Sequence, residues 1–151
     1  MLEIAPLPPD RRDNFADPIF AIMQIALPDS WNLATLRNLL LQPTCVGCIA
    51  KTDRMMIGFL LAQKVDDQLE ILSFAVLPQN RRLGIGREML GWLLRYGCDT
   101  GCREIFLDVA ADNAAAMALY QSGGFAIYDR RPQYYIRKKG RIDAILMKRS
   151  V

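Results

Sequence analysis

Val76-Leu77-Pro78-Gln79-Asn80-Arg81-Arg82-Leu83-Gly84-Ile85-Gly86 is the stretch on which the fold turns. An apolar run ends at Leu77 and a polar turn follows. Two glycines then open a segment whose apolar positions Ile85, Met89, Trp92/Leu93 and Tyr96 recur every three or four residues. The pattern is strand, turn, helix. A helix start leaves backbone N–H groups unpaired at the positive end of the helix dipole, which makes it an anion site. Gly84 and Gly86 carry no side chain, so a pyrophosphate can approach the backbone closely. The spacing is R-x-x-G-x-G. It is not the G-x-G-x-x-G of dinucleotide folds, and no lysine follows as in nucleotide triphosphatases. The alternative reading is a glycine-eased turn into a core helix.

Outward from this turn, residues 69–77 read as the strand that enters it, the helix reaches about Thr100, and 103–109 alternates as a further strand. A strand–helix–strand crossover makes those two strands parallel. Ahead of them, 45–50 and 55–65 read as strands joined by short turns at 51–54 and 66–68, so the three are antiparallel neighbours. Near the N-terminus, Phe15, Ile19, Ile22, Met23 and Leu27 follow a helical period with Pro18 in the first turn. Pro28-Asp29-Ser30 breaks that helix, and a second runs from Trp31-Asn32 through Leu33, Leu36, Leu39 and Leu40 to a stop before Pro43. Residues 113–121 form an alanine-rich helix capped by Asp112 or Asn113 and stopped by Gly123. Two last strands, 125–135 and 142–148, flank a polar, basic turn. The order α-α-β-β-β-α-β-α-β-β predicts an α/β (α+β) fold. Its sheet is mixed and mostly antiparallel, with one parallel pair and helices on both faces. The 151 residues suit one domain, 1–151.

Bulk properties exclude more than they select. Hydrophobic residues make up 52% of the chain, enough for a core without disulfides or metal, and a net charge of +3 is too small to argue for nucleic acid. Cys45-Val46-Gly47-Cys48 has C-x-x-C spacing, but no second such pair follows and histidine is absent. The four cysteines Cys45, Cys48, Cys98 and Cys102 therefore read as small buried hydrophobes rather than zinc ligands, and no metal is expected. Met1-Leu2-Glu3-Ile4-Ala5-Pro6 is not patterned as a secretory signal, and no apolar stretch is long enough to span a bilayer, so the expectation is a cytoplasmic protein.

Downstream lies Asp108-Val109-Ala110-Ala111-Asp112-Asn113-Ala114-Ala115-Ala116-Met117-Ala118-Leu119-Tyr120, then Gly123-Gly124-Phe125. The Arg81-x-x-Gly84-x-Gly86 turn after a strand resembles the acyl-CoA pyrophosphate loop of the GNAT superfamily of N-acetyltransferases. The N-x-x-A-x-x-L-Y run followed by G-F is similar to that superfamily's second cofactor-binding segment. The resemblance covers the chain well from Leu69 onward and the first forty residues in outline. Tyr134-Tyr135 and Gly140-Arg141-Ile142-Asp143-Ala144 add a likeness to bacterial ribosomal-protein-alanine N-acetyltransferases. That group typically has glutamate where this chain has Asp108, and proline-tryptophan-serine where it reads Pro28-Asp29-Ser30-Trp31.

The resemblance implies an acetyl-CoA-dependent N-acetyltransferase acting on a protein N-terminus, the acceptor being the N-terminal α-amine (alanine) of a ribosomal protein. It implies Asp108 as general base, directly or through one water, and Tyr120 as the acid that protonates the leaving CoA thiolate. Aspartate also suits a loop cap, and a tyrosine at helical spacing also suits core. It further implies CoA contacts from residues 81–87 (Arg81, Arg82, Leu83, Gly84, Ile85, Gly86, Arg87), from Asn113 on the pantetheine arm, from Tyr120, and from backbone N–H at Ala75 or Val76. A bulge in that strand and its splay from the parallel neighbour would supply the slot. Trp31, Tyr134, Tyr135 and Asp143 are candidate walls of an acceptor groove, Asp143 as an attractor for a cationic amine. The basic cluster of Arg130-Arg131 and residues 137–141 reads as a solvated hairpin or a face for an acidic partner, with no direct nucleic-acid contact expected. Rival readings are a small-molecule amine acetyltransferase and a catalytically inert CoA-binding module.

Overall fold

Successive short turns fold the chain into one mixed sheet in the computed structural model, which describes residues 1–28 and 30–151. Asp29, in the expected helix break, lies outside the described residues. The strands are β1 (Leu2–Pro6), β2 (Cys45–Thr52), β3 (Met55–Val65), β4 (Gln68–Val76), β5 (Glu104–Ala110), β6 (Ala126–Arg137) and β7 (Gly140–Ser150). The helices are α1 (Ala16–Ala26), α2 (Leu33–Leu41), α3 (Ile85–Asp99) and α4 (Ala114–Ser122), with 3₁₀ turns at Arg12–Phe15 and Pro78–Asn80. Strand order is β1-β2-β3-β4-β5-β7-β6, and β4–β5 is the parallel pair in an otherwise antiparallel sheet. Six consecutive residues of β3, 57–62, are buried, which requires cover on both faces. Helices α1 and α2 supply one cover and α3 the other.

Local chemistry explains most boundaries. Asn32 Oδ1 accepts from Thr35 N–H (2.8 Å) and starts α2. Pro18 sits in the first turn of α1, where its missing N–H costs nothing. The α2 carbonyl end is buried against Arg12, which is only 7% exposed and donates to the Leu40 and Gln42 carbonyls. A guanidinium there satisfies orphan carbonyls and complements the negative end of the helix. At α4, Gly123 is the stop, while the left-handed residue is Gly124 (φ +91°). Arg149 Nη1 closes that end on Gly123 O at 2.7 Å.

Four expectations need correction. The chain begins with β1, which the sequence reading omitted: five residues pairing Leu2 with Thr52 through Pro6 with Cys48 are too few to display a period. Strand β2 runs on to Thr52, so its turn with β3 is only Asp53-Arg54, both at positive φ (49° and 67°). Positive φ at both central residues is the geometry that matches strand twist in a two-residue hairpin. Leu77 leaves the strand and caps the 3₁₀ turn. Strands β6 and β7 extend to Arg137 and from Gly140, which leaves Lys138-Lys139 as the turn and absorbs much of the basic segment into the ladder.

Two glycines mark opposite packing regimes. A Cβ at Gly47 would lie 2.6 Å from the Leu60 backbone oxygen, whereas at Gly91 it would meet only the mobile tip of Arg95 at 3.3 Å. Gly47→Ala is expected to destabilise by about 1–3 kcal/mol through overpacking. Gly91→Ala should stabilise by about 0.5–1 kcal/mol from helix propensity. Urea unfolding of both variants checks the pair, which fails if they shift the midpoint in the same direction.

Candidate active site

The sheet opens where its parallel pair ends. Residues 68–71 of β4 pair with 104–107 of β5, and pairing stops there. On the other side of β4, Leu61 opposes Ser73 and Ala62 opposes Ile71, so Leu72 is an extra, bulged residue. The two strands diverge beyond it, and the resulting cleft of about 640 Å³ is lined by Leu27, Trp31, Leu72, Ser73, Phe74, Asp108, Asn113, Tyr120, Tyr135 and Arg137, among others. The splay and bulge implied by the resemblance are both present.

Backbone alternation decides which amides face this opening. Leu77 N–H donates to Ile57 O at 2.8 Å, toward β3. Ala75 therefore turns its N–H toward β3 as well, while Phe74 and Val76 turn theirs to the splayed side. Of the two amides expected to serve the cleft, Ala75 is committed to the ladder and Val76 is the one presented. The Val76 carbonyl accepts from Arg81 Nε at 3.1 Å, so Arg81 folds back over the strand end.

The turn then enters α3 through two left-handed residues, Arg82 (φ +65°) and Gly84 (φ +80°). Glu88 N–H is the first amide of the helix to find a backbone carbonyl, that of Gly84 (3.1 Å). The N–H groups of Arg82, Leu83, Gly84, Ile85, Gly86 and Arg87 have no backbone partner among the described residues. A Cβ at Gly84 would meet nothing within 4 Å, so this turn offers open space in front of free donors. A Cβ at Gly86 would touch Leu119 (3.1 Å) and Phe74 (3.7 Å), which seats α3 against α4 and the cleft wall.

Side chains divide between the two faces of the sheet. Leu69 Cδ1 packs 3.3 Å from where a Gly97 Cβ would stand, so Leu69 faces α3. In-register neighbours share a face in a parallel pair, which puts Ile105, Leu107 and Val109 toward α3 and Asp108 on the opposite side. The bulge turns Ser73 to the Asp108 side, and Phe74 returns to the α3 side. Tyr120 joins Phe74 there, with ring centroids 6.3 Å apart, and packs on Phe125 at 5.8 Å. Burial, and secondarily Tyr135, push the Tyr120 phenol well above its ordinary range, so it stays protonated at neutral pH.

Around Asp108 lie Glu70, Tyr128 and Tyr135. Burial and then the Asp108 charge raise Glu70, partly offset by Arg131. Tyr135 is pushed up to about 12 by burial first and Asp108 second. Asn113 Oδ1 accepts from Ala116 N–H (3.1 Å), so its oxygen is the α4 cap while its amide group remains at the cleft. Arg137 pairs with Asp112 at 3.6 Å, joining β6 to the segment before α4 across the mouth.

Trp31, Asp108, Asn113, Tyr120 and Tyr135 thus converge, while Tyr134 is exposed beside Arg131 and Asp143 is elsewhere. Asp143 Oδ2 accepts from Arg130 Nε (2.6 Å) and Oδ1 from Gln133 N–H (2.8 Å), so both oxygens serve the hairpin. Ser73, Leu72, Phe74 and Arg137 are lining residues that sequence reasoning did not single out. Cys45 and Cys48, three apart on β2, point to opposite faces, and burial pushes the Cys48 thiol up to about 12. Cys45, Cys48 and Cys102 are buried as expected; Cys98 is exposed.

Known proteins match this geometry. The acetyltransferase (GNAT) family model matches residues 16–125. The chain is 40% identical over 92 residues to the [ribosomal protein bS18]-alanine N-acetyltransferase of Escherichia coli (strain K12), covering 61% of this chain and 62% of that protein. It therefore spans less than two thirds of the length of the curated relatives it matches first. Human N-acetyltransferase 8 is 32% identical over 83 residues, covering 51% of this chain and 37% of that one. Among solved structures, the ribosomal-protein-S18-alanine N-acetyltransferase from Escherichia coli superposes with a TM-score of 0.93 at 30% identity, covering 100% and 94% of the two chains. Arabidopsis thaliana NAA60 in complex with acetyl-CoA superposes with a TM-score of 0.85 at 19% identity, covering 100% and 99%. No helix among the described residues is long and apolar enough to cross a membrane.

The Asp143 contacts give a pH prediction. The Gln133 amide, then Arg130, hold its carboxyl below the ordinary 3.8. A depressed acid pKa contributes stability that is present above the unfolded value and lost as pH falls through the folded one. Asp143→Asn should lower Tm at neutral pH, and the gap to the parent should close below about pH 3.8. A gap that persists unchanged at pH 2.5, or none at neutral pH, contradicts this assignment.

Proposed function

Because the chain belongs to the GNAT acetyltransferase family, we propose that it carries an acetyl group from acetyl-CoA to the N-terminal α-amine of a protein, with an alanine-starting ribosomal protein as the acceptor. The observation that carries this reading is the run of unpartnered amides from Arg82 to Arg87, which opens α3 beside a cleft between splayed parallel strands. Free donors at a helix N-terminus with open space over Gly84 suit a diphosphate. Bound acetyl-CoA supplies an acetyl thioester, and the slot between β4 and β5 suits its pantetheine arm, with the Val76 amide and the Asn113 side chain in reach. The alanine acceptor is supported by the likeness to the Escherichia coli ribosomal-protein-alanine N-acetyltransferase in sequence and in fold.

Asp108 removes a proton from the acceptor ammonium, directly or through one water, since an amine attacks only with its lone pair free. Its side chain is one methylene shorter than glutamate, which favours the water-bridged route. Tyr120, on the opposite face, holds its proton at neutral pH and donates it to the departing thiolate; Asp108 releases the amine's proton to solvent, and the phenolate takes one back from it. Trp31 and Tyr135 form aromatic walls on the acceptor side.

Tyr120→Phe is expected to lower kcat by about 10²–10⁴-fold, the usual worth of a positioned acid, with acetyl-CoA affinity unchanged. Asp108→Asn should lower kcat by a similar factor. Thiol release with alanine-starting peptides, set against a broad amine panel, reads both variants. No detectable acetyl-CoA binding would sink the reading, and an unchanged kcat in Tyr120→Phe removes that residue from the chemistry. Tight CoA binding with no turnover across the panel would favour an inert CoA-binding module.

A further inference from the structure

Resting on the transfer reading above, we propose that Ser73 is an acceptor-binding residue: its Oγ takes a hydrogen bond from an N–H of the incoming primary amine. Ser73 is 8% exposed, lines the cleft, and is the one buried side-chain N/O group among the described residues with no hydrogen-bond partner. A buried hydroxyl without a partner costs the folded protein free energy that alanine would not. Most buried polar groups are satisfied, so an orphan hydroxyl on a residue that lines a cleft points to a ligand atom.

Its place in the sheet selects which ligand. The donor side of the cleft is served by amides in the plane of β4, at Phe74 and Val76, and by Phe74 and Tyr120 on the α3 face. Ser73 stands out of that plane on the other face, because the bulge at Leu72 reverses the alternation just before it. Asp108 occupies the same face of the neighbouring strand, and Leu27 and Trp31 of the α1–α2 segment line the same cleft. A group that meets both the Asp108 carboxylate and the Ser73 hydroxyl is the amine rather than the diphosphate, pantetheine or thioester. An amine presents several N–H bonds: one is lost toward Asp108 and another donates to Ser73 Oγ. The hydrogen bond to Ser73 forms as soon as the acceptor binds and adds to its affinity, alike before and during transfer.

Ser73→Ala in the full chain tests this with acetyl-CoA and alanine-starting peptides. The expected result is an acceptor KM raised about tenfold, which is about 1.4 kcal/mol. Both kcat and the acetyl-CoA KM should stay within about twofold, because the contact is made in ground and transition states alike. The Tm of the ligand-free variant should equal or exceed that of the parent, since an unsatisfied group has been removed. An unchanged acceptor KM, a rise in acetyl-CoA KM instead, a fall in kcat alone, or a lowered Tm would each overturn the assignment. A parent chain with no turnover overturns this assignment together with the transfer reading. A turning-over parent matched by Ser73→Ala overturns this assignment alone.

Discussion

The separation of β4 from β5 beyond Ile71 is the constraint on which the other features depend. A parallel pair needs a crossover, and here the crossover is α3, whose N-terminus must therefore lie past the carboxyl end of β4. Splaying the pair at that same end puts unpaired strand amides and unpaired helix amides around one opening. Either set buried alone would be a liability, since orphan N–H groups in a protein interior are costly. Together they form a donor-rich slot whose cost is recovered when an acceptor-rich ligand enters. Open α/β sheets place ligands outside the carboxyl ends of their strands for the same reason.

Much of the remaining structure holds that opening in shape. Left-handed backbone at Arg82 and Gly84 bends the chain from strand to helix within a few residues. Arg81 ties the turn to the Val76 carbonyl, and the missing side chain of Gly86 lets α3 close on Leu119 and Phe74. Farther away, Arg12 and Arg149 close the carbonyl ends of α2 and α4. Guanidinium groups suit such ends, because several planar donors meet carbonyls that the helix cannot use.

The sequence made most of this legible where one local rule acted alone. The R-x-x-G-x-G turn, the start of α2 near Trp31-Asn32, the α4 cap at Asp112 or Asn113 and the short turns between β2, β3 and β4 all emerged from residue type and spacing. Failures arose where a distant contact or a phase change decided the outcome. Read with period two, Leu69, Ile71, Ser73 and Ala75 share one face, and nothing in their identities announces that Leu72 is a bulge. That single extra residue moves Ser73 to the Asp108 side and hides it from any pattern-based search. Asp143 failed differently: as a lone carboxylate near two tyrosines it suited an amine, but Arg130 across the hairpin claims it. Strand β1 was lost to brevity, its order coming from the register with β2 rather than from its own sequence.

A division of labour follows from the geometry. On one side of the opening stand backbone amides and glycines whose value is the absence of a side chain. Such a surface recognises charge and shape, and substitutions that keep the turn leave it intact. On the other face, Trp31, Ser73, Asp108 and Tyr135 are side chains carried on different elements, and each can change without refolding the sheet. In the proposed reading, a constant donor therefore meets backbone and a variable acceptor meets side chains. Asp108, which stands where the resembled group typically has glutamate, fits that division. It alters the distance to the acceptor on the exchangeable face and leaves the α3 turn and the β4–β5 splay, which the donor needs, untouched.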